Sequence, residues 1–588
     1  MLSREIAAAV QSNETTAEAV MRATLGRIAA YDAVQPQAWI SRPSDNDLLE
    51  AARAVDRRVA AGEDLPLAGV PFAVKDNLDV AGQPTTAACP AFSYMPERSA
   101  EVVARLQAAG AIAVGKTNLD QFATGLNGTR SPYGAPGCVF NRAYVSGGSS
   151  SGSAVAVGAG LVAFSLGTDT AGSGRVPAAF NNLIGLKPTK GRWSASGMVP
   201  ACRSLDCATV FAPDVADAML VDSVAAGFDP VDGYSRRSPE ERPSFGQDFR
   251  FGVPLPSQRQ FLGDAEAAAL FGRAITHLEA AGGKAVEIDI QPLLDAAKLL
   301  YDGPWVAERT AAVEPLLKSN QEAIHPVVRG ILQGGVGVTG VQAFRGLNAL
   351  QDYARAAEQV WHEADVLLLP TAPTIYRIDE MLAEPVALNA NLGLYTNFVN
   401  LLDMSAIAVP AGFRANATGF GVTLIGPAFS DRALLDLAVR YMAAAPLPEA
   451  PPLDLGGRAD TVRLAVVGAH LHGMPLHWQL TSRDARLAAS TRTAPAYRLY
   501  AMAGSVPPKP ALVHVGEGGA SIAVEVYEID SAAFGSFVVE VPAPLAIGSV
   551  TLDSGETVKG FVAEPRATAG AEDITALGGW RAYLASLQ

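Results

Sequence analysis

Histidine is scarce in this sequence, and the N-terminal half has none. The chain of 588 residues has seven histidines, the first of which is His277. Imidazole is the commonest general base at neutral pH, so a catalytic site in the first 276 residues must take its base from another residue type. The chain also has four cysteines: Cys89, Cys138, Cys202 and Cys207. They are too few for a disulfide scaffold and lack the paired spacing of a metal site, which indicates a reducing, cytoplasmic environment.

Charge and hydropathy exclude two further classes of function. The net charge of −14 disfavours nucleic acid or an anionic membrane as the main partner. No run of 18 apolar residues is free of charges or turn breakers, and the first residues lack the pattern of a signal peptide. Hydrophobic residues make up 49% of the chain, so we expect a protein with a large packed core.

Helical and strand-like segments alternate over the first 445 residues. Residues 14–31 and 101–110 have helical apolar spacing, whereas residues 67–80 and 111–118 are typical of buried strands. The same alternation returns further along the chain, in residues 264–290, 366–374 and 405–427. We therefore predict an α/β domain over residues 1–445, with much of its sheet parallel.

A proline-rich segment separates this region from a different pattern. Four prolines lie between residues 443 and 457, and we place a linker at 446–459. Beyond it, short β-branched runs include residues 521–529 and 536–541, and a hairpin turns at Ser554-Gly555. We predict a small β-rich domain over residues 460–588.

Two Gly/Ser-rich loops are the most informative motifs. One spans Gly147–Gly152, and the other Gly167–Arg175. A flexible loop is the simplest explanation, and a phosphate cradle is a second, although the lysine and the spacing of a nucleotide-binding loop are missing. In a third explanation, Ser173 is a nucleophile, and backbone N–H groups from Thr170 to Ser173 form an oxyanion hole.

A serine nucleophile requires a base, and Lys75 is the candidate. It lies in the apolar run VPFAVKDN, where burial would lower the pKa of the amine and make its neutral form available. Asp76 and Asp79 could pair with the lysine and oppose this shift. Strand alternation places Asp76 on the opposite face, which favours Lys75 as the base.

These motifs resemble those of the amidase signature family. VKDN at Lys75, GKTNLDQFATG at residues 115–125 and the two Gly/Ser loops match it in order and spacing, over roughly residues 15–440. The resemblance implies a mixed β-sheet sandwiched between helices and a Ser–cis-Ser–Lys triad. By position, the triad is Ser173 (nucleophile), Ser149 (bridging serine on a cis peptide) and Lys75 (base). Asp169 and Arg175 are expected to brace the loop rather than react.

The chain departs from the family at two loop positions. Ala171 replaces a usual glycine, and Gly174 replaces a usual isoleucine. Both substitutions keep the backbone donors. The expected oxyanion hole therefore consists of the N–H groups of Thr170, Ala171, Gly172 and Ser173.

Residues 300–309 (LYDGPWVAER) and the C-terminal region resemble allophanate hydrolases. That resemblance implies that Tyr301 and Arg309 hold the carboxylate of allophanate (urea-1-carboxylate), and that Gly125 suits a compact substrate. A guanidinium can bind a carboxylate through two hydrogen bonds. Tyr301 and Arg309 are eight residues apart, so if both lie on one helix they are separated by a little over two turns and can face one pocket. A surface arginine and a core tyrosine are the alternative. Asn127 occupies a position where this family has valine, and the sequence does not indicate how this difference affects the site.

The same resemblance implies the biochemical context. The products would be ammonia and carbon dioxide, in the second step of ATP-dependent urea degradation after a biotin-dependent urea carboxylase. The enzyme would be a cytoplasmic homodimer without a cofactor. The C-terminal domain would have a γ-glutamylcyclotransferase-like fold and assist decarboxylation, with His470 as its candidate site residue. His470, His472 and His477 lack further ligands nearby, so no metal is expected.

Two alternatives use the same motifs differently. Another amidase, such as the amidase component of a glutamyl-tRNA amidotransferase, would act on a different amide. A non-catalytic scaffold would have no need of Lys75, Ser149 and Ser173 together. Degradation of a nitrogen-rich ring compound is equally compatible with an allophanate substrate.

Overall fold

The computed structural model describes residues 2–239, 244–444, 447–455, 461–483 and 485–587. They fall into two compact units, Met1–Leu455 and Gly456–Gln588. The described part of the predicted linker belongs to the first unit, because the Asp454 N–H donates to the Val139 carbonyl at 2.8 Å and its carboxylate accepts from the Arg142 N–H at 2.7 Å. Residues 446 and 456–459 of that linker lie outside the described residues.

A large mixed sheet forms the centre of the first unit. Its strands and one additional hairpin are β1 (Trp39–Ser41), β2 (Pro71–Lys75), β3 (Ile112–Thr117), β4 (Gly137–Cys138), β5 (Asn141–Val145), β6 (Phe164–Asp169), β7 (Ile184–Lys187), β8 (Cys207–Ala212), β9 (Phe249–Pro254), β10 (Gly283–Ile288), β11 (Val366–Pro370), β12 (Ser405–Phe413) and β13 (Gly419–Gly426). Eleven strands pair in the order β1-β3-β2-β6-β8-β7-β12-β13-β11-β9-β10, while β4 pairs with β5. The pairings of β2 with β3 and β6, and of β9 with β10 and β11, are parallel. The predicted mixed sheet is confirmed.

Helices alternate with these strands along the first unit. They are α1 (Ser3–Gln11), α2 (Ala17–Asp32), α3 (Asp45–Ala60), α4 (Glu101–Ala108), α5 (Ser151–Gly158), α6 (Val176–Phe180), α7 (Val215–Ala225), α8 (Ala265–Ala280), α9 (Gln291–Asp302), α10 (Trp305–Ser319), α11 (Pro326–Val336), α12 (Gly340–Ala357), α13 (Val360–Glu363), α14 (Ile378–Ala383), α15 (Ala387–Leu392), α16 (Phe398–Leu401) and α17 (Asp431–Ala444). Across the residues that the structure describes, no helix combines the length and apolar character that a membrane span requires.

The strand predicted over residues 67–80 is shorter than expected, and this places the site. Only Pro71–Lys75 is extended, and the chain then turns, with the Leu78 N–H donating to the Lys75 carbonyl at 2.9 Å. Because β2 and β6 are parallel neighbours, their carboxyl ends lie at one edge of the sheet. Lys75 and the loop after Asp169 therefore meet there.

The second unit is rich in β-structure, as predicted. Its elements are β14 (Thr461–Val466), α18 (Trp478–Thr481), β15 (Arg486–Arg492), β16 (Tyr497–Ala501), β17 (Pro510–His514), β18 (Ala523–Asp530), α19 (Ser531–Val539), β19 (Leu545–Thr551), β20 (Thr557–Ala563), β21 (Glu572–Asp573) and α20 (Trp580–Ser586). They form sheets in the orders β15-β18-β14-β20-β19 and β17-β16-β21. The β19–β20 hairpin is confirmed, with Gly555 at φ 87° in its turn. The strand predicted at 536–541 is wrong: most of it lies in α19, where buried Phe537 packs edge-on against Phe561, so tertiary packing overrides β propensity.

Candidate active site

Lys75 is fully buried at the end of β2. Its Nζ donates to Ser149 Oγ at 2.7 Å and to Thr168 Oγ1 at 2.7 Å. Burial lowers the pKa of Lys75 to about 7, although the charge of Asp120 opposes this shift. The neutral amine is therefore well populated at neutral pH, as a base requires.

The two acidic neighbours of Lys75 in sequence are engaged elsewhere. The Asp76 carboxylate pairs with Lys116 Nζ at 2.9 Å, and both side chains are fully buried. Asp79 accepts hydrogen bonds from Thr85 at 2.8 Å and Tyr94 at 2.7 Å. The prediction that Asp76 faces away from Lys75 is confirmed.

Ser149 is fully buried, and the peptide bond between Gly148 and Ser149 is cis, as the resemblance implies. The Ser149 carbonyl accepts from the Asp120 N–H at 3.1 Å. A Cβ on Gly148 would lie 2.2 Å from the Asp120 carboxylate, so a side chain there has no room.

The sequence analysis missed Asp120, which organises the next loop. Its carboxylate accepts from the N–H groups of Asn127 at 3.2 Å, Gly128 at 3.0 Å and Arg130 at 2.9 Å. A Cβ on Gly125 would also lie 2.4 Å from this carboxylate. The absence of a side chain at Gly125 is thus a requirement of the loop itself. An aspartate within GKTNLDQFATG carries no sequence signal for this role.

Asn127 is a structural residue of the same loop. Its Nδ2 donates to Asn389 Oδ1 at 2.8 Å, and its Oδ1 accepts from the N–H and the hydroxyl of Thr129, both at 2.8 Å. These contacts explain a buried amide where the family has a valine, because the side-chain oxygen and nitrogen are both hydrogen-bonded.

Ser173 lies in a turn whose backbone is held by a carboxylate. Asp169 accepts from the N–H groups of Gly172 at 2.9 Å and Gly174 at 3.1 Å. This corrects the predicted oxyanion hole, since the Gly172 N–H is already engaged. In the described parts of the chain, the N–H groups of Thr170, Ala171 and Ser173 have no hydrogen-bond acceptor.

The Ser173 hydroxyl has only a weak contact. It is 2% exposed, and its Oγ donates to the Gly125 carbonyl at 3.5 Å. This contact places the loop that contains Gly125 directly beside the hydroxyl predicted to be the nucleophile.

The buried Asp169–Arg175 pair braces the turn, as expected. Arg175 Nε lies 2.9 Å from one carboxylate oxygen, and Nη2 lies 3.0 Å from the other. Arg175 also donates to the Thr396 carbonyl at 3.2 Å. Arg175 lowers the pKa of Asp169 against the opposing effect of burial, so the carboxylate remains charged and keeps its hydrogen bonds to the turn.

Tyr301 and Arg309 come together, but not on one helix as predicted. Tyr301 belongs to α9, Arg309 belongs to α10, and Gly303-Pro304 separates the two helices. The Arg309 guanidinium lies 5.3 Å from the centre of the Tyr301 ring. The break therefore replaces the predicted helical spacing with a cation–π contact between two helices.

Arg309 is buried without a carboxylate partner among the residues that the structure describes. It is 2% exposed, and its Nη1 donates to Thr124 Oγ1 at 3.3 Å, while Nε has no hydrogen-bond partner there. The carboxylate of the adjacent Glu308 accepts hydrogen bonds from the N–H and the hydroxyl of Ser204, at 2.8 and 2.7 Å, rather than from Arg309. A buried guanidinium with unused donors is suited to an anionic ligand.

Asp206 is a second acidic residue that the sequence analysis missed. It accepts a hydrogen bond from the Thr170 hydroxyl and others from the N–H groups of Ala201 at 2.8 Å and Cys202 at 3.1 Å. Burial raises the pKa of Asp206 to about 6. It therefore ties Thr170, at the start of the turn that contains Ser173, to the backbone of Ala201 and Cys202.

The second unit places the three candidate histidines differently. His470 bonds Gln479 at 2.7 Å, stacks on Phe561 with ring centres 4.9 Å apart, and lines a cavity of about 210 Å³. His472 and His477 instead lie beside each other, with ring centres 5.0 Å apart. Burial lowers the pKa of His470. Within the described ranges, no three His, Cys, Asp or Glu side chains are arranged to hold a metal.

Comparisons with known proteins agree with this architecture. The amidase family matches residues 19–435, and the allophanate hydrolase C-terminal domain matches residues 462–585. The structure of Kluyveromyces lactis allophanate hydrolase is 43% identical, with a TM-score of 0.71 and 98% of both chains covered. A glutamyl-tRNA(Gln) amidotransferase component from Thermosynechococcus vestitus is 35% identical, and the match covers 75% of this chain and 97% of that protein.

A longer relative matches both parts of the chain in sequence. Urea amidolyase from Lachancea kluyveri is 46% identical over 577 residues, which cover 94% of this chain and 31% of that protein. The chain thus spans about a third of the length of the curated relatives that it matches first. The amidase match includes the strands and loops that contain Lys75, Ser149 and Ser173. The chain therefore belongs to the amidase family and joins that domain to an allophanate hydrolase C-terminal domain.

Proposed function

We propose that this protein hydrolyses the terminal amide of allophanate through a serine-linked acyl-enzyme. The observation that carries the proposal is one loop that contacts both ends of the site. The Gly125 carbonyl accepts from Ser173, and the adjacent Thr124 hydroxyl accepts from Arg309. A small amide with a carboxylate at its other end fits between a nucleophile and a buried cation.

The chemistry begins at the lysine. Neutral Lys75 takes the proton of Ser149, and Ser149 takes the proton of Ser173, whose oxygen attacks the amide carbonyl. The long 3.5 Å contact between Ser173 and Gly125 leaves the hydroxyl free to turn toward Ser149 when substrate binds. The tetrahedral oxyanion is stabilised by the N–H groups of Thr170, Ala171 and Ser173.

Collapse of the tetrahedral species breaks the carbon–nitrogen bond. Ammonia leaves with the proton returned through Ser149, and the acyl group remains on Ser173. Water then attacks the same carbonyl, and Lys75 again takes the proton through Ser149. The ester bond to Ser173 breaks, Ser173 regains that proton through Ser149, and the dicarboxylated amine is released. This product loses carbon dioxide. The second unit assists that step at His470, whose cavity also contains Lys509 and Glu540.

Recognition of the substrate carboxylate is assigned to the α9–α10 pair. Arg309 supplies unused guanidinium donors, and Tyr301 supplies a phenol beside them. Replacing the carboxylate by a neutral amide would leave the buried guanidinium unpaired, which is why the site should discriminate strongly against neutral substrates.

The longer relatives suggest the source of the substrate. They are named urea amidolyase, a name that refers both to urea and to the cleavage of an amide. The match with this chain covers 31% of the length of one of them. We propose that a biotin-dependent urea carboxylase supplies allophanate, that this enzyme performs the second step of urea degradation, and that it acts in the cytoplasm as a homodimer.

Ammonia release from purified protein tests the proposal. The substrates are allophanate, malonamate, its neutral counterpart malonamide, and glutamine; the proteins are wild type, Arg309→Ala and the exposed control Arg345→Ala. We expect preference for the two anionic amides, and a rise of about 100-fold in their KM in Arg309→Ala, because charged hydrogen bonds contribute about 1.5–3 kcal/mol. Equal turnover of malonamide would overturn the substrate assignment, and preference for glutamine would favour the amidotransferase alternative.

A further inference from the structure

A second buried guanidinium, that of Arg130, is linked to Arg309 through Thr124. Arg130 is 1% exposed. Its Nη1 donates to the Thr124 carbonyl at 3.0 Å, and its Nη2 donates to the Pro385 carbonyl at 2.6 Å. Both acceptors are neutral, and Nε has no partner in the described part of the chain. Arg130 is thus a buried cation held by backbone carbonyls rather than by an ion pair.

Thr124 is bonded by both cations. Its carbonyl accepts from Arg130, and its hydroxyl accepts from Arg309 at 3.3 Å. Thr124 itself is 1% exposed and precedes Gly125, whose carbonyl accepts from Ser173. The orientation of the Arg309 guanidinium therefore depends on a residue whose main chain is fixed by Arg130.

Among the residues that the structure describes, no carboxylate forms an ion pair with either guanidinium. The charge of Asp120 raises the pKa of Arg130, but its carboxylate accepts hydrogen bonds from backbone N–H groups of the loop. The charges of Asp206 and Glu308 raise the pKa of Arg309. Their carboxylates accept hydrogen bonds from the hydroxyls of Thr170 and Ser204, respectively. Burial lowers the pKa of Arg130, and the positive charge of Arg309 contributes to this shift. A substrate carboxylate between Arg309 and Tyr301 would relieve the repulsion between the cations.

We propose that Arg130 is a positioning and specificity-determining residue for anionic amides. It holds Thr124 so that Thr124 orients Arg309, and it adds a second positive charge near Arg309. The inference rests on the proposed function, because it concerns the same substrate carboxylate.

A purely structural role makes a different prediction. If Arg130 only ties the 120–130 loop to Pro385, its loss should disturb Ser173 through Gly125 and slow all amides equally. If it acts through Arg309, its loss should raise KM for anionic amides alone. Once Arg309 has been replaced, removal of Arg130 should then raise KM by less than it does in wild type, since only the charge of Arg130 is still to be lost.

The test measures kcat and KM for malonamate and malonamide in wild type, Arg130→Met, Arg130→Lys, Arg309→Met and Arg130→Met/Arg309→Met. We expect about a ten-fold or larger rise in KM for malonamate in Arg130→Met, because a buried positive charge near Arg309 is lost. The kcat for malonamate and the kcat/KM for malonamide should stay within about two-fold. Arg130→Lys, which keeps the charge, should recover part of the loss, and the double variant should raise KM for malonamate by less than the product of the two single effects.

Other outcomes would overturn the inference. An unchanged KM for malonamate, or equal losses for both amides, would leave Arg130 as a brace. If Arg130→Met does not fold, Arg130→Gln replaces it under the same criteria, since glutamine keeps one amide donor without the charge. Failure of the proposed function has its own signature, because wild type would then show no preference for malonamate over malonamide.

Discussion

Replacing Lys75 with methionine should abolish amide hydrolysis and, at neutral pH, stabilise the first unit. The reason is that the wild-type lysine is fully buried, with no ion-pair partner within the described residues. Its pKa is lowered from 10.5 to about 7, so at pH 7 the folded state disfavours a charge that the unfolded chain keeps.

The magnitude follows from the two pKa values. At pH 7, a folded pKa of about 7 against 10.5 in the unfolded chain destabilises the fold by about 4 kcal/mol, at 1.36 kcal/mol per pKa unit. Methionine removes this penalty but also removes the hydrogen bonds to Ser149 and Thr168, each about 1 kcal/mol. The net expectation is a gain of about 2 kcal/mol for Lys75→Met.

The sign of the pH dependence is defined by the same values. Between about pH 7 and 10.5 the unfolded chain binds the lysine proton and the folded chain does not. The free energy of unfolding of wild type should therefore rise with pH across this window, and Lys75→Met should lack that contribution. Below pH 7 the wild-type kcat/KM should fall about ten-fold per pH unit as the base becomes protonated.

Calorimetry at pH 7, 8 and 9 provides the assay. The transition of the first unit should shift in Lys75→Met, while that of the second unit should not, which gives an internal reference. Lys318→Met is the matched control, since this lysine on α10 is 72% exposed and pairs with Glu314 at the surface. A variant less stable than wild type at pH 7, or a stability difference independent of pH, would refute the reasoning.

Three further predictions concern the turn that contains Ser173 and the loop beside it. Asp169→Asn should destabilise the first unit by about 3–5 kcal/mol in denaturant titrations because it leaves a buried guanidinium unpaired, whereas the exposed Asp379→Asn should cause no measurable change. Gly125→Ala should cost about 1–3 kcal/mol and reduce kcat, because its Cβ would lie 2.4 Å from a carboxylate; Gly26→Ala, with open space around it in α2, should instead stabilise by about 0.5–1 kcal/mol in the same titration. Ser173→Ala should lose ammonia release with an unchanged melting temperature, and residual activity within ten-fold of wild type would contradict its role as nucleophile.

Much of the fold and the burial of Lys75 could be predicted because these features have local signatures, whereas the role of Ser149 was implied only by the family resemblance. Helix α2 begins after Thr16, whose hydroxyl accepts from the Ala19 N–H as an N-cap should. Lysine within an apolar strand predicts its own burial, and strand alternation predicts that Asp76 faces away from it. The roles assigned to Ser149 and Ser173 stay predictions until activity is measured.

Contacts between distant residues left no such signature. Asp120, Asp206 and the Thr124 link between two arginines depend on which loops the sheet order brings together. The helix α19 replaced a predicted strand because its apolar residues pack into the core of the second unit.

The sequence by itself predicted a buried lysine and two Gly/Ser-rich loops, because these residue types carry their own constraints on burial and backbone approach, and the resemblance of the motifs to one family assigned the triad. Only the tertiary structure decided which backbone N–H groups near Ser173 are free and how Arg309 comes to bond Thr124. The Gly172 N–H is taken by Asp169, and the break between α9 and α10 sets Arg309 against Tyr301. Hydrogen bonds and buried charges are satisfied by neighbours in space, and those neighbours follow from the packing of the whole sheet.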